Sequence, residues 1–510
     1  MPAESGGRAR LSARTLQTAL ASVQRPAYDR SRVATGIVHL GIGAFHRAHQ
    51  AVYVDDVLAA GDRRWGIAGV SLRGAETRDA LAPQDGLYTL LVRGNDAPAR
   101  VIGSVREVLY GPTERERVLA LMADPAIAIV SLTVTEKGYC HSPATGELDE
   151  SRPEVRADLA NPGAPQSALG YLVEALHRRR RAGVAPFTVL TCDNLPSNGE
   201  TVRRVLTRFA TLRDSDLGRY VAAEVATPST MIDRIVPATT DTDRATASAA
   251  LGLDDAWPIV TEPFSQWVIE DRFPAGRPAF ETVGVEFVSD VAPYEKMKLR
   301  MLNGAHSTLA YLGSIAGVEF VADAVADPSL SAFASAIMRD AADTLTTPQS
   351  VRTAYARALM DRFANPALKH RLIQIAMDGT QKLPQRLLGT VRDRLAAGLA
   401  VERHALAVAA WMRFVTRRDE TGVPVRANDP LADRLAEAAR AEAPDAVVAS
   451  LLALASVFGE DLPKDPRFTD PLHAAFRRLT PATARAMAAE AASRAPRLPS
   501  GDEDAVMNNR

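Results

Sequence analysis

The chain carries two cysteines in 510 residues, Cys140 and Cys192, and no Cys-x-x-Cys pair. That argues against a disulfide framework and a cysteine-built zinc site, and it suits a reducing, cytoplasmic setting. Charge of one sign is also lacking: 60 Lys and Arg stand against 61 Asp and Glu, a net charge of −1. A global basic footprint for nucleic acid is thereby excluded, so any anionic ligand must be met by local charges. No apolar run approaches the roughly 18–20 residues of a membrane span. The opening stretch MPAESGGRARLSARTLQTALASVQ has no continuous apolar segment of the kind a secretory signal needs.

What is present is an ordinary globular composition, 46% apolar and 24% charged, in a chain long enough for two or three domains. Residues 1–30 are polar and read as a loosely held extension. Buried-strand candidates follow at 36–41 (GIVHLG), 65–72 (WGIAGVSL), 127–134 (IAIVSLTV) and 187–192 (FTVLTC). Helical segments lie between them, one at 41–61 with Gly61 as its C-terminal stop and one at 167–181. Short apolar strands alternating with helices predict an α/β domain whose parallel sheet is covered on both faces. The run His177–Arg181 ends a helix and reads as a solvated basic terminus.

Beyond residue 290 helical periodicity takes over, in 294–317, 367–379, 404–415, 447–459 and 483–495, so a mainly α-helical second domain is expected. The predicted organisation is an extension (1–30), a sheet domain (31–290), a helical domain (291–498) and a disordered acidic tail (499–510).

Gly41-Ile42-Gly43-Ala44-Phe45-His46 follows the first strand and opens a helix. Two glycines permit a tight turn, and the helix start offers N–H groups to a pyrophosphate. Arg47 is a candidate phosphate partner. The third glycine of G-x-G-x-x-G is replaced by His46. No acidic residue ends the second strand, where Ser71-Leu72-Arg73 stands, with Glu76 only later. A 2′-phosphate on the cofactor therefore stays open beside a ribose hydroxyl.

The densest chemistry is Lys298-x4-Asn303-x2-His306, preceded by Asp290 and Pro293 as helix-start residues. On a regular α-helix Asn303 and His306 lie about 140° and about 80° around from Lys298, spread along about 12 Å of axis. Met301, Leu302, Ala305 and Leu309 would face the core. A desolvated lysine can take the proton of a substrate hydroxyl, and Asn and His can donate to the developing alkoxide. The competing reading is three polar residues on the exposed side of an amphipathic helix. CDNLPSNG (192–199) follows a strand and puts Asp193, Asn194 and Asn198 at the carboxyl edge of the sheet. DGTQKLPQR (378–386) supplies Lys382 and Arg386.

At these residues the chain resembles the mannitol dehydrogenase family of polyol-specific long-chain dehydrogenases. The resemblance runs over nearly the whole chain, through GIVHLGIGAFHRAHQ, QDGLYTL, IVSLTVTEKGY, CDNLPSNG, EPFSQWVIED, YEKMKLRMLNGAHSTLAYLG and QIAMDGTQKLPQR. Within the family VTEKGYC, MKLRMLNG and QKLPQRLL are most similar to its fructuronate-reducing members. The resemblance implies a Rossmann-type domain followed by a mainly helical one, with the active site between them. It also implies NAD as cofactor, NADP not excluded, no metal, and a small sugar-derived substrate. Lys298 would be the general base, with Asn303 and His306 holding the reacting oxygen. Asn194, Asp233 and Lys382 would line the substrate or support its site, and Glu295 would open a water path to the lysine. Gln374 and Met377 stand where mannitol-oxidising members carry Arg and His. Fructuronate-reducing members match Gln374 but carry an aromatic at Met377.

Mannonate and fructuronate are therefore the expected substrate pair, with mannitol and fructose, or another polyol such as arabinitol, as the alternative. Lys369, His370 and Arg371, with Lys382 and Arg386, are candidate cations for a substrate carboxylate. A zinc or iron site from His46, His49 and His306 is disfavoured, since no third ligand lies near the first two in sequence. A catalytically silent nucleotide sensor is disfavoured because it has no use for a base.

Overall fold

The computed structural model describes residues 8–494 apart from 95, 143, 144, 419–421 and 424. The acidic tail expected at 499–510 lies outside them. The chain forms two compact units, Met1–Ala292 and Pro293–Arg510.

The first unit is built on five parallel strands, β1 (Thr35–Leu40), β2 (Gly66–Ser71), β3 (Val105–Tyr110), β4 (Ile129–Leu132) and β5 (Thr188–Thr191), in the order β3-β2-β1-β4-β5. This is the first five positions of the dinucleotide-binding order, in which the chain reverses direction across the sheet beside β1. Successive side chains point to opposite faces. Val38, Leu40, Val70, Val130 and Val189 enter one core, shared with the helices Gly111–Ala123 and Ala168–Arg181. Ile37, Ile67, Ile129 and Leu190 enter the other, shared with the helix Gln50–Ala59 and with Trp267. Burial on both faces is why these strands are unbroken apolar runs. Two three-stranded sheets complete the unit. One joins Glu286–Val288, Gln266–Glu270 and Thr230–Asp233; the other joins Arg100–Ile102, Tyr88–Val92 and Ile259–Thr261.

Three expectations change. The segment 41–61 is two helices, α1 (Ala44–Ala48) and α2 (Gln50–Ala59), because His49 leaves helical geometry (φ −123°, ψ −91°). Residues 8–30 are not loosely held: Leu11, Leu16, Ala19 and Val23 are buried against Leu87, Val101, Leu251 and Leu253. Their apolar side chains, spaced three to five apart in a polar stretch, cover the edge of the Tyr88–Val92 sheet. In the basic run, Arg179 is buried rather than solvated. Its guanidinium donates to the carbonyls of Met122, Asp124, Ile127 and Ala185.

The second unit is helical, with no strand among its described residues. Its central helix, α3 (Gly304–Ile315), is buried along Gly304–Gly313 and is packed by the helix Pro328–Ala342 and by α4 (Glu402–Val415). A further helix, α5 (Pro466–Arg478), lies against α4.

Several imidazoles are wholly enclosed. His39 and His46 stack at 3.4 Å in the first unit, and His404 is enclosed in the second. Burial holds His39 and His404 down to about 3, and His46 well below the ordinary range. The unfolded chain takes up protons near pH 6.5 and the fold refuses them. Stability is therefore full above that pH and falls as the pH drops through it, by about 1.4 kcal/mol per ring at pH 5.5. Buried Asp158 and Asp340 and half-buried Asp193 have raised pKa values and act in the opposite direction once they begin to protonate. Urea unfolding between pH 7.5 and 5.5 is expected to show a monotonic loss of stability on acidification. A flat or rising profile would contradict the neutral assignment.

Candidate active site

In the first unit the β1–α1 turn fixes the local geometry. Gly41 sits at φ +95°, and a Cβ there would lie 2.2 Å from the carbonyl oxygen of Thr133. Only glycine fits. Gly43, at φ −92°, caps α1 in open space, so its smallness leaves the approach to the backbone clear. The turn forms one wall of a cleft of about 560 Å³ that Gly41, Ile42, Gly43, Arg73, Thr133 and Lys137 help to line. The first-turn N–H groups of α1, at Ala44 and Phe45, have no intrahelical acceptor. A glycine turn, these N–H groups and a cleft at the carboxyl ends of β1, β2 and β4 fit a dinucleotide.

Arg47 does not face this cleft. It is fully buried, donating to the carbonyls of Trp257 (2.6 Å) and Gly43 (3.3 Å) beneath the turn, with Tyr88 across from it. Its role is to hold the turn. The cations at the cleft are Arg73, Arg115 and Lys137; Arg73 is exposed at the end of β2, where no carboxylate stands.

At the carboxyl end of β5 the three polar residues of CDNLPSNG divide. Asp193 accepts from Val134 N–H (2.9 Å) and the Tyr139 hydroxyl (2.7 Å). Asn198 bridges the Asp193 carbonyl and Thr230. Both are structural. Asn194 is left exposed at the sheet edge, and the Asn198 bridge ties this turn to the strand that ends in buried Asp233.

In the second unit Lys298, Asn303 and His306 lie on one continuous helical segment, but not on a regular α-helix. Residues Ala292–Met297 are α-helical, Lys298–Asn303 form a π-helix, and α3 begins at Gly304. The wider π-turn changes the angular spacing, so the arcs expected for a uniform α-helix do not hold. Lys298 and His306 are buried and Asn303 is half-buried, which removes the exposed-face reading. Met301, Leu302, Ala305 and Leu309 face the core. The neighbouring cations go elsewhere: Lys296 (2.9 Å) and Arg300 (2.7 Å) both pair with Asp393. Glu295, half-buried, precedes Lys298 by three residues.

A second π-turn, Pro384–Leu388, packs on the first. At their contact a Cβ on Gly304 would stand 2.9 Å from the Arg386 carbonyl oxygen. Arg386 is half-buried and donates to the buried Ser307 hydroxyl at 3.1 Å. Among the described residues it has no carboxylate partner, and burial lowers its pKa. His306 stacks on Phe363 (4.5 Å) and meets His370 edge-on (5.4 Å). Burial, then the charges of His370, Arg362 and Arg386, hold it well below the ordinary range. It is a neutral imidazole, which keeps one N–H to donate.

Lys382 supports the loop before it, donating to the Met377 carbonyl (2.5 Å) and lying 3.8 Å from Asp378. Gln374 is exposed on the short helix Leu372–Ile375. Of the other candidate cations, Lys369 is exposed and Arg371 pairs with Glu319 on the surface, so neither joins Arg386. His46 packs on His39, and His49 donates to the Gln266 carbonyl (3.0 Å). No group of three His, Cys, Asp or Glu side chains is arranged as metal ligands among the described residues. Missed from sequence were the π-turn, the service of Asp393 to Lys296 and Arg300, and the Phe363–His306 stack. None has a periodicity signal.

Residues 35–282 match the mannitol dehydrogenase Rossmann domain and residues 290–480 the mannitol dehydrogenase C-terminal domain. The chain is 48% identical to the uncharacterized oxidoreductase YdfI of Escherichia coli K12, over 87% of this chain and 92% of that protein. It is 46% identical to D-mannonate oxidoreductase of the same organism, over 91% and 97%. The structure of Pseudomonas fluorescens mannitol 2-dehydrogenase in ternary complex with NAD and D-mannitol superposes with a TM-score of 0.80 at 38% identity, covering 94% of this chain and 99% of that one. The chain is an oxidoreductase of the mannitol dehydrogenase family.

Proposed function

We propose that the chain uses NAD to interconvert D-mannonate and D-fructuronate, with Lys298 as general base and Asn303 and His306 holding the reacting oxygen. The observation that carries the reading is the set of buried Lys298, half-buried Asn303 and buried His306 on one π-turn and the start of α3. Bound in the first unit's cleft, NAD supplies the hydride acceptor. In oxidation the Lys298 amine, neutral, takes the proton of the substrate hydroxyl. The Asn303 amide and the His306 N–H donate to the oxygen as negative charge develops on it, and they do so from fixed positions in a poorly solvated site. Glu295, three residues upstream, passes the lysine's proton to solvent. Asn194, Asp233 and Gln374 contact the substrate, and Lys382 keeps the 375–378 loop in place.

The acidic substrate pair is supported by Arg386, a desolvated cation beside Ser307 without a carboxylate partner among the described residues. A neutral polyol leaves such a charge uncompensated, whereas a substrate carboxylate pairs with it. The 46% identity to D-mannonate oxidoreductase points the same way. The second reading, D-mannitol and D-fructose, draws on the relative solved with D-mannitol.

Lys298→Ala is expected to lower kcat by more than tenfold while NADH affinity, read by fluorescence quenching, stays within about twofold, a free-energy change of about 0.4 kcal/mol. Retention of more than a tenth of the activity would reject Lys298 as the base. Oxidation by the unaltered enzyme is expected to rise with pH along a single limb, because the lysine must be neutral to accept the proton. His306, already neutral, adds no second limb between pH 6 and 9.

With NADH, kcat/KM for D-fructuronate is expected to exceed that for D-fructose by at least tenfold, about 1.4 kcal/mol of transition-state binding. Arg386→Gln is expected to erase that margin. A higher value for D-fructose would make the neutral pair the substrate.

NAD(H) is expected to give a higher kcat/KM than NADP(H). A preference for NADPH that is lost in Arg73→Ala would instead assign Arg73 to a 2′-phosphate.

A further inference from the structure

The second unit holds another cavity, of about 660 Å³, lined by residues of α3, α4 and α5 at their C-terminal ends and by none of the site residues above except the neighbour Ile373. Three guanidiniums, of Arg413, Arg417 and Arg418, stand in its wall. Arg413 lies 4.0 Å over the Phe476 ring and donates to the Phe476 carbonyl through Nε and Nη2. Arg417 lies 4.1 Å over the Phe414 ring and donates to the Phe414 carbonyl through Nη1 (2.8 Å). Arg418 donates to the carbonyls of Gly422 and Ala439.

Part of this is ordinary helix capping, since cations favour helix C-termini. Capping does not account for the remainder. Among the described residues none of the three arginines forms an ion pair, and Nη1 of Arg413 with Nε and Nη2 of Arg417 has no acceptor. Glu442, the acidic residue of the wall, is exposed and pairs with none of them. Burial lowers the pKa of both Arg413 and Arg417, as expected of cations partly withdrawn from water without a counter-charge among the described residues. Each of the two guanidiniums is held over an aromatic ring and by a backbone carbonyl. Ile315, Ile373, Val447 and Leu479 give the lining an apolar part.

We propose that this cavity binds an organic phosphate monoester, its phosphoryl group on Arg413, Arg417 and Arg418 and its apolar or flat body against the aliphatic wall. A phosphate dianion suits the assignment better than a monocarboxylate. It offers three terminal oxygens to several guanidinium groups and more charge to offset theirs. The volume falls within the range of small-molecule sites. The site is separate from the Lys298 set, so the proposal does not depend on the substrate reading.

Calorimetric titration of the full chain, with and without NADH, tests it, using phenyl phosphate, inorganic phosphate and benzoate as probes. Phenyl phosphate is expected to bind once per chain with Kd below about 1 mM, more tightly than either other probe. Arg417→Ala and Arg413→Gln are each expected to weaken it at least tenfold, and Arg417→Lys by less. The thermal midpoint and NADH affinity report that each variant is folded. The proposal is overturned if phenyl phosphate shows no saturable binding. It is overturned equally if affinity is unchanged in folded Arg417→Ala, or if D-fructuronate competes with phenyl phosphate, which would place the phosphate in the substrate site.

Discussion

The close approach of two π-turns, Lys298–Asn303 and Pro384–Leu388, is the constraint on which the chemistry proposed for the second unit rests. It is possible because Gly304 has no side chain; a Cβ there would stand 2.9 Å from the Arg386 carbonyl oxygen. A regular α-helix through residues 298–306 would set Lys298, Asn303 and His306 at different angles to their surroundings. The π-turn leaves Lys298 and His306 buried and Asn303 half-buried. Lys296 and Arg300 on either side of Lys298 share Asp393 as their partner. π-turns break the regular ladder of helical hydrogen bonds and recur at functional sites.

Burial then sets the charge states. His306, stacked on Phe363 among Arg362, His370 and Arg386, stays neutral and can donate without carrying a proton that the reaction must later return. Arg386 keeps a positive charge in partly desolvated surroundings, which links the position of the reacting oxygen to the kind of substrate proposed. In the first unit the same economy of charge appears as structure. Arg47 and Arg179 are enclosed and satisfied by carbonyls, pinning the glycine turn and the end of the helix Ala168–Arg181.

Four strands of the central sheet were legible because both faces are buried, which leaves unbroken apolar runs. The fifth, β3, was not: it lies at the sheet edge, and Arg106 and Glu107 interrupt its pattern. The Lys298-Asn303-His306 set stood out by residue type and spacing, yet its geometry did not, since α- and π-turns share the same composition. Arg47 was misread because a cation after a glycine turn looks like a phosphate ligand, and only the fold reveals carbonyls to receive it. Arg371 could be read as a substrate cation or as a solvated helix residue, because sequence does not disclose a distant partner such as Glu319. Residues 8–30 hid a small core because its other half comes from residues 87–101 and 251–253.

The assignment of proton transfer to Lys298 is tested most directly by the pH dependence of hydride transfer in Lys298→Ala, measured in single turnovers by stopped-flow absorbance of NADH. The account predicts that the residual oxidation rate loses the rising limb of the unaltered enzyme and becomes independent of pH between 6 and 9. A limb that survives with the same midpoint would show that another group takes the proton, and would contradict the account.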